Sequence, residues 1–279
     1  MTPKVGLNYR ASATRSVYAS IGGGIEAPAG NETDPAGTFG QDTVTALNPL
    51  LDAITSTTYE VGTRHLLVRS GGLLRELSYD VAGYFTTVSN DIVPYRGGRF
   101  YFTAGTVHRT GAEFGANARL AHGVALAGAL TLSKNTYEHY VVDSVHYGRP
   151  GHFADYSGHL MVGVPKVMFN GNVSWAPEKA GGLRVQVGMQ QTGTYFADDA
   201  NTVSVPSSAV FSAGFLTDRV LELCNGMGVR GFVSVQNLTD KRYIGSAFLN
   251  PDVVSGKPVA FEPGLPRQVL VSVSLLRTR

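Results

Sequence analysis

Apolar residues in this chain recur at every second position, and no segment competes with a convincing amphipathic-helix spacing. That alternation is the signature of a β-strand with one apolar and one polar face. The final segment shows it most plainly. Val269, Val271, Val273 and Leu275 share one face, and Gln268, Ser272 and Ser274 share the other. Leu183, Val185, Val187 and Met189 alternate with Arg184, Gln186, Gly188 and Gln190. Val124, Leu126, Leu130 and Leu132 alternate with Ala125, Ala127, Ala129, Thr131 and Ser133, and Val17, Ala19 and Ile21 with Ser16, Tyr18 and Ser20.

The alternation delimits about eleven strands, near residues 4–11, 15–26, 57–67, 73–89, 99–120, 123–134, 167–177, 183–197, 207–224, 228–247 and 267–277. Several exceed the roughly 5–6 residues usual in globular proteins. Short turns near 12–14, 69–72, 121–123, 178–182 and 225–228 alternate with longer connections near 27–56, 90–99, 135–166, 198–206 and 248–266. Loops sorted in this way, short at one end and long at the other, are the habit of an outer-membrane β-barrel. A soluble sandwich has no reason to sort them.

Composition agrees with a membrane barrel. Charged residues make up 16% of the 279, against roughly 25% in soluble domains. There are 34 Gly, 13 Tyr and 13 Phe, and the mean hydropathy is zero. No run reaches the roughly 18 apolar residues of a transmembrane helix, but a membrane strand needs only about 10 residues, half of them lipid-facing. The single cysteine, Cys224, excludes an intrachain disulfide and Cys-based metal clusters. A net charge of +2 without a basic cluster gives no sign of nucleic-acid binding.

Two features lead us to expect that the chain is part of a larger barrel. The start, Met1-Thr2-Pro3-Lys4-Val5-Gly6, is not a secretory signal. An odd strand number also makes the first and last strands run the same way, so they cannot pair antiparallel, whereas bacterial single-chain barrels have even numbers.

Several motifs occur in a telling order. Lys4-Val5-Gly6-Leu7-Asn8-Tyr9-Arg10 precedes Val17-Tyr18-Ala19-Ser20 and Ile25-Glu26-Ala27-Pro28. Thr58-Tyr59-Glu60-Val61-Gly62-Thr63-Arg64 follows, then Ala104-Gly105 with Gly111-Ala112-Glu113-Phe114-Gly115, and Val164-Pro165-Lys166. Gln236-Asn237-Leu238-Thr239-Asp240-Lys241-Arg242-Tyr243 and Pro263-Gly264-Leu265-Pro266-Arg267 precede the closing strand. Together these resemble the C-terminal barrel half of the TonB-dependent outer-membrane receptors, ferric-siderophore type, over essentially the whole chain. The family usually ends on an aromatic residue; this chain ends Leu275-Leu276-Arg277-Thr278-Arg279.

The resemblance implies an all-β, antiparallel, up-and-down transmembrane barrel segment spanning residues 1–279, about eleven strands of a 22-stranded barrel whose plug is absent here. It implies residence in the outer membrane of a Gram-negative bacterium, a ferric siderophore as ligand, and energy from the TonB complex acting through the plug. Partners would be outer-membrane lipid and the missing N-terminal half and plug. No cofactor is implied, since the siderophore carries the iron. Alternatives are a passive porin and a soluble β-sandwich binding module.

Candidate ligand contacts lie on the longer loops. Residues 135–166 hold His139, His146, His152 and His159 together with Tyr137, Tyr140, Tyr147, Phe153 and Tyr156. Aromatic rings stack on planar chelates, although a solvated loop surface explains the same residues, and the histidine spacings fit no metal motif. Tyr95, Arg96, Arg99 and Tyr101 flank another outer turn, where arginines attract anions or pair with lipid headgroups. Arg184, Gln186 and Gln190 should face the lumen. Asp198-Asp199 suits turn chemistry better than a cation site. His108 and Glu113, five apart on a strand, fall on opposite faces, and no catalytic grouping emerges, so we expect no enzyme.

Overall fold

A computed structural model describes residues 2–28, 52–95, 100–143, 153–222, 226–249 and 259–277. Eleven long strands form one antiparallel meander, each hydrogen-bonded to its neighbours in sequence. They are β1 (Lys4–Arg10), β2 (Arg15–Glu26), β3 (Ile54–Val68), β4 (Leu74–Tyr95), β5 (Phe100–Leu120) and β6 (Val124–His139). The series continues with β7 (Val167–Trp175), β8 (Leu183–Thr192), β9 (Ser208–Thr217), β10 (Met227–Gln236) and β11 (Gln268–Arg277). The short piece Leu221–Glu222 is the twelfth member of the sheet, beside β10.

The register carries the alternation of each strand into one continuous apolar face. Leu126 stands beside Val173, Val173 beside Val187, Val187 beside Ala213, Ala213 beside Val235, and Val235 beside Val269. In the first half, Val5 aligns with Ile21, Ile21 with Tyr59 and Tyr59 with Phe85. A slip of one residue would turn any of these rows to the other face, so the sequence pattern fixes the pairing.

This apolar face is bare. Val61 is 57% exposed, Val173 50% and Val271 59%. The buried hydrophobic residues described, Val88, Val107, Tyr137, Tyr140, Ala197 and Val205, lie instead toward the long-loop end. A sandwich would bury its apolar rows against a second sheet. Here they face outward all along the sheet, as they must where lipid is the solvent. The opposite face is polar, and the larger concavities open on it.

Glycines let large inner side chains lie flat. The ring of Tyr18 covers Gly62, where a Cβ would meet it at 2.6 Å. Its hydroxyl donates to Glu60 Oε1 at 2.6 Å. Arg64 stacks above the same ring, 5.6 Å from its centre.

The short turns knit one rim together. Leu66 N donates to Thr14 O, Ala121 N to Leu73 O, Ala176 N to Gly123 O and Asp218 N to Gly182 O. At the other end the strands run on. β4 and β5 have 22 and 21 residues. At about 3.4 Å per residue each spans roughly 70 Å, well beyond a hydrocarbon core of about 30 Å.

The expected strands are all present, with corrections at their ends. The connection expected near 90–99 is largely a ladder, because β4 continues through a left-handed Asn90 (φ 60°) and pairs with β5 up to Tyr95 opposite Phe100. The strand expected at 228–247 stops at Gln236. Asn237 adopts φ 49°, and its carboxamide accepts from Lys241 N and donates to Lys241 O and Leu265 O. A separate hairpin follows, Ile244–Leu249 with Val259–Pro263. The strand expected at 183–197 likewise ends at Thr192, and Tyr195–Phe196 turns into its own hairpin with Ser204–Val205. The strand expected at 207–224 ends at Thr217, whose hydroxyl bonds to the amide and carbonyl of Gly231.

Candidate functional site

Two of the long connections fold against each other at the outer end of β4 to β6. Val88 on β4, Val107 on β5 and Tyr137 on β6 form a small apolar floor together with Tyr140, just beyond β6. Ala154, Tyr156 and Met161 from the following loop pack onto it. The rings of Tyr137 and Tyr140 lie 4.8 Å apart, Tyr140 and Tyr156 5.3 Å, and Tyr156 and His159 6.0 Å. The loop returns through backbone bonds from Tyr137 N to His159 O, Gly158 N to Tyr137 O and Tyr156 N to Tyr140 O.

The 195–205 hairpin closes over this cluster. Tyr137 donates its hydroxyl to Asp199 Oδ1 at 3.1 Å, and His159 Nδ1 lies 2.8 Å from Asp199 O. Asn201 clamps the Leu160 backbone by accepting from its N and donating to its O, both within 2.9 Å. Asp198 caps the hairpin turn, accepting from Thr202 Oγ1 and from Thr202 N and Val203 N. Burial pushes the Asp199 carboxyl above the usual carboxylate range, against the opposing hydrogen bond from Tyr137. The turn chemistry expected of Asp198 is therefore present, while Asp199 has a different task, joining two loops.

The predicted contacts divide sharply. Tyr137 and Tyr140 are 2% and 1% exposed and form the loop's own core. Tyr156 is half-buried against Tyr140, and His139 is exposed at the end of β6. Tyr95 ends β4, and nothing is described of its side chain. Arg96, Arg99, His146, Tyr147 and His152 lie outside the described residues. Arg184 sits near the short-turn end on the polar face and is held by a bidentate Asp218, with Nε–Oδ1 2.9 Å and Nη2–Oδ2 2.7 Å. His108 faces Glu138 at 3.3 Å, and its register with Thr136 sets it on the face opposite Glu113. Among the described residues, no group of three His, Cys, Asp or Glu side chains is placed to hold a metal.

Sequence reasoning missed a recess beside this clasp. About 330 Å³ is enclosed by the ends of β8 and β9 and by the two outer hairpins, with Gln190, Thr192, Ser208, Tyr195 and Tyr243 among its walls. The ring of Tyr243 lies directly over Gly264, where a Cβ would collide with it. The motif containing Tyr243 was visible in the sequence, but the hairpin that carries Tyr195 was hidden inside an apparent strand.

Comparison with known proteins decides what such a sheet belongs to. The family described as TonB dependent receptor-like, beta-barrel matches residues 1–238. The chain belongs to that family. A ferrioxamine receptor from Yersinia enterocolitica is 26% identical over 204 residues, covering 73% of this chain and 26% of the receptor. Among solved structures, the siderophore receptor PiuA from Acinetobacter baumannii superposes with TM-score 0.69 at 20% identity, covering 98% of this chain and 35% of PiuA. The ferric yersiniabactin uptake receptor FyuA from Yersinia pestis gives 0.67 at 17%, covering 97% and 36%.

This chain thus spans about a quarter to a third of the length of these relatives. In a TonB-dependent receptor barrel the bare apolar face is the outer wall and the polar, concave face lines the lumen. The motif Asn237 to Tyr243 lies at and just beyond the last matched residue and acts as a strand stop.

Proposed function

We propose that this chain forms the C-terminal wall of an outer-membrane receptor barrel that imports a ferric siderophore under TonB control. The carrying observation is the exposed apolar face that runs across all eleven strands of one antiparallel meander. The names of its relatives supply the ligand class.

The sheet edges support a larger barrel. β1 pairs only with β2 and β11 only with β10 among the described residues. In an eleven-strand meander these two edges run the same way, so they cannot join to each other antiparallel. Each unpaired backbone group costs several kcal/mol in lipid. Further strands, odd in number, would complete the wall, and a plug would fill it and convey the pull of the TonB complex. The iron arrives inside the ligand, so the barrel needs no resident cofactor.

The test is uptake of radioactive iron from a panel of ferric siderophores by cells with the gene intact or deleted. Loss of accumulation from at least one siderophore on deletion, restored by the gene but not in a TonB-deficient strain, supports the reading. Equal uptake from every siderophore with and without the gene contradicts it.

A further inference from the structure

The polar face is not uniform. On β3 to β5 it bears Glu60, Arg64, Asp80, Arg109 and Glu113, which the register sets on the same side. From β6 to β11 the charges described on that face are Arg184, its partner Asp218, Glu222 and Arg230, all near the short-turn end. Above them the wall is amide, hydroxyl and small apolar: Asn170 aligns with Gln190 and Gln190 with Val210, Asn172 with Gly188 and Gly188 with Ser212. A concavity of about 660 Å³ lies along this stretch, meeting a carboxylate only at Asp80 on its far side. The 330 Å³ recess above it, walled by Tyr195 and Tyr243 with Gln190, Thr192 and Ser208, has no Asp, Glu, Lys, Arg or His among the described residues of its lining.

We infer that this half of the wall receives an uncharged, amide- or hydroxyl-bearing part of the ligand. The inference deepens, and rests on, the siderophore reading above. Electrostatics sets the class. An anionic group placed in the recess would lose water and meet no cation, whereas a neutral polar group exchanges water for hydrogen bonds of similar strength. Flat Tyr195 and Tyr243 rings add apolar contact without charge. The volume lies at the small end of ligand sites, suiting one arm of a chelate.

The experiment measures binding of two ferric chelates to outer membranes from cells producing this chain within its complete reading frame. One chelate is an uncharged ferric tris-hydroxamate and the other an anionic ferric tris-catecholate. The variants are Gln190→Ala and Ser208→Ala, both checked for heat-modifiable migration to show that the barrel has assembled. The inference expects the uncharged chelate to bind in preference, and each variant to raise its Kd about fivefold, the loss of one hydrogen bond. Preferential binding of the anion, or an unchanged Kd for the uncharged chelate in both assembled variants, overturns the inference while leaving the siderophore reading standing. Binding of neither chelate to the parent also overturns the inference, and the uptake panel then decides the siderophore reading.

Discussion

The hydroxyl of Tyr137 donates to Asp199 Oδ1 across 62 positions of sequence, joining the end of β6 to the 195–205 hairpin in a buried contact. The outer loops on this side are therefore not independent. Tyr137→Phe deletes the donor and leaves a buried carboxylate short of a partner, at a cost of about 1–3 kcal/mol. Asp199→Asn keeps an acceptor oxygen and costs less. Limited proteolysis between residues 153 and 162 should accelerate in the first variant and change little in the second. Equal rates in parent and Tyr137→Phe would remove the clasp from the account.

The same carboxylate gives the clasp a pH dependence. Its folded value is raised above the ordinary 3.8 by burial, so the closed loop holds a proton more tightly than the open one. Stability from this group is therefore fully present below the ordinary value and is lost as pH rises through the raised one. Tyr137, Asp198, His159 and Tyr140 surround it and shape the slope. Protection of the Leu160 and Val203 amides against hydrogen exchange, corrected for intrinsic rates, should fall from pH 4 toward neutrality. Asp199→Asn should flatten that fall.

Asn237 carries a conformational and a hydrogen-bonding role that substitution can separate. Its φ of 49° is left-handed, and its carboxamide makes three backbone contacts. Asn237→Gly keeps the conformation and loses the bonds; Asn237→Ala loses both, with strain of roughly 1 kcal/mol or more added. Urea unfolding of the assembled barrel should rank Asn above Gly and Gly above Ala. Ala at least as stable as Gly would contradict the latch.

Gly62 has to be small because Tyr18 lies on it. Gly62→Ala should destabilise the barrel by about 1–3 kcal/mol through overpacking. In the Tyr18→Ala background the same change should cost much less, because the obstructing ring is gone. A double-mutant cycle reads the coupling directly, and simple additivity would show that the contact is unimportant.

The strand order and the lipid-facing rows were legible in the sequence because period two survives wherever one face meets lipid. Val269 to Leu275 and Val185 to Met189 are plain cases. The outer thirds were not legible for three physical reasons. The ladder of β4 and β5 runs past the membrane, where no solvent asymmetry marks it, and a left-handed Asn90 looks like a loop residue while the strand goes on. Hairpins such as Tyr195–Phe196 with Ser204–Val205 keep strand-like residues after the wall strand has ended. Tyr137 and Tyr140, expected on a ligand-facing loop, are buried because a distant hairpin folds over them, a contact no local pattern encodes. Asp199, expected to serve turn chemistry beside Asp198, joins two loops for the same reason.

The central claim is that odd-numbered residues of β7 face lipid and even-numbered ones face a polar lumen. Nitroxide labels placed singly at Phe169, Asn170, Gly171, Asn172, Val173 and Ser174, in a Cys224→Ser background of the membrane-assembled protein, test it most directly. The account predicts that collision with oxygen peaks at 169, 171 and 173, and that a water-soluble nickel chelate reaches 170, 172 and 174 preferentially. The reverse phase, or no period of two at all, would contradict a transmembrane wall.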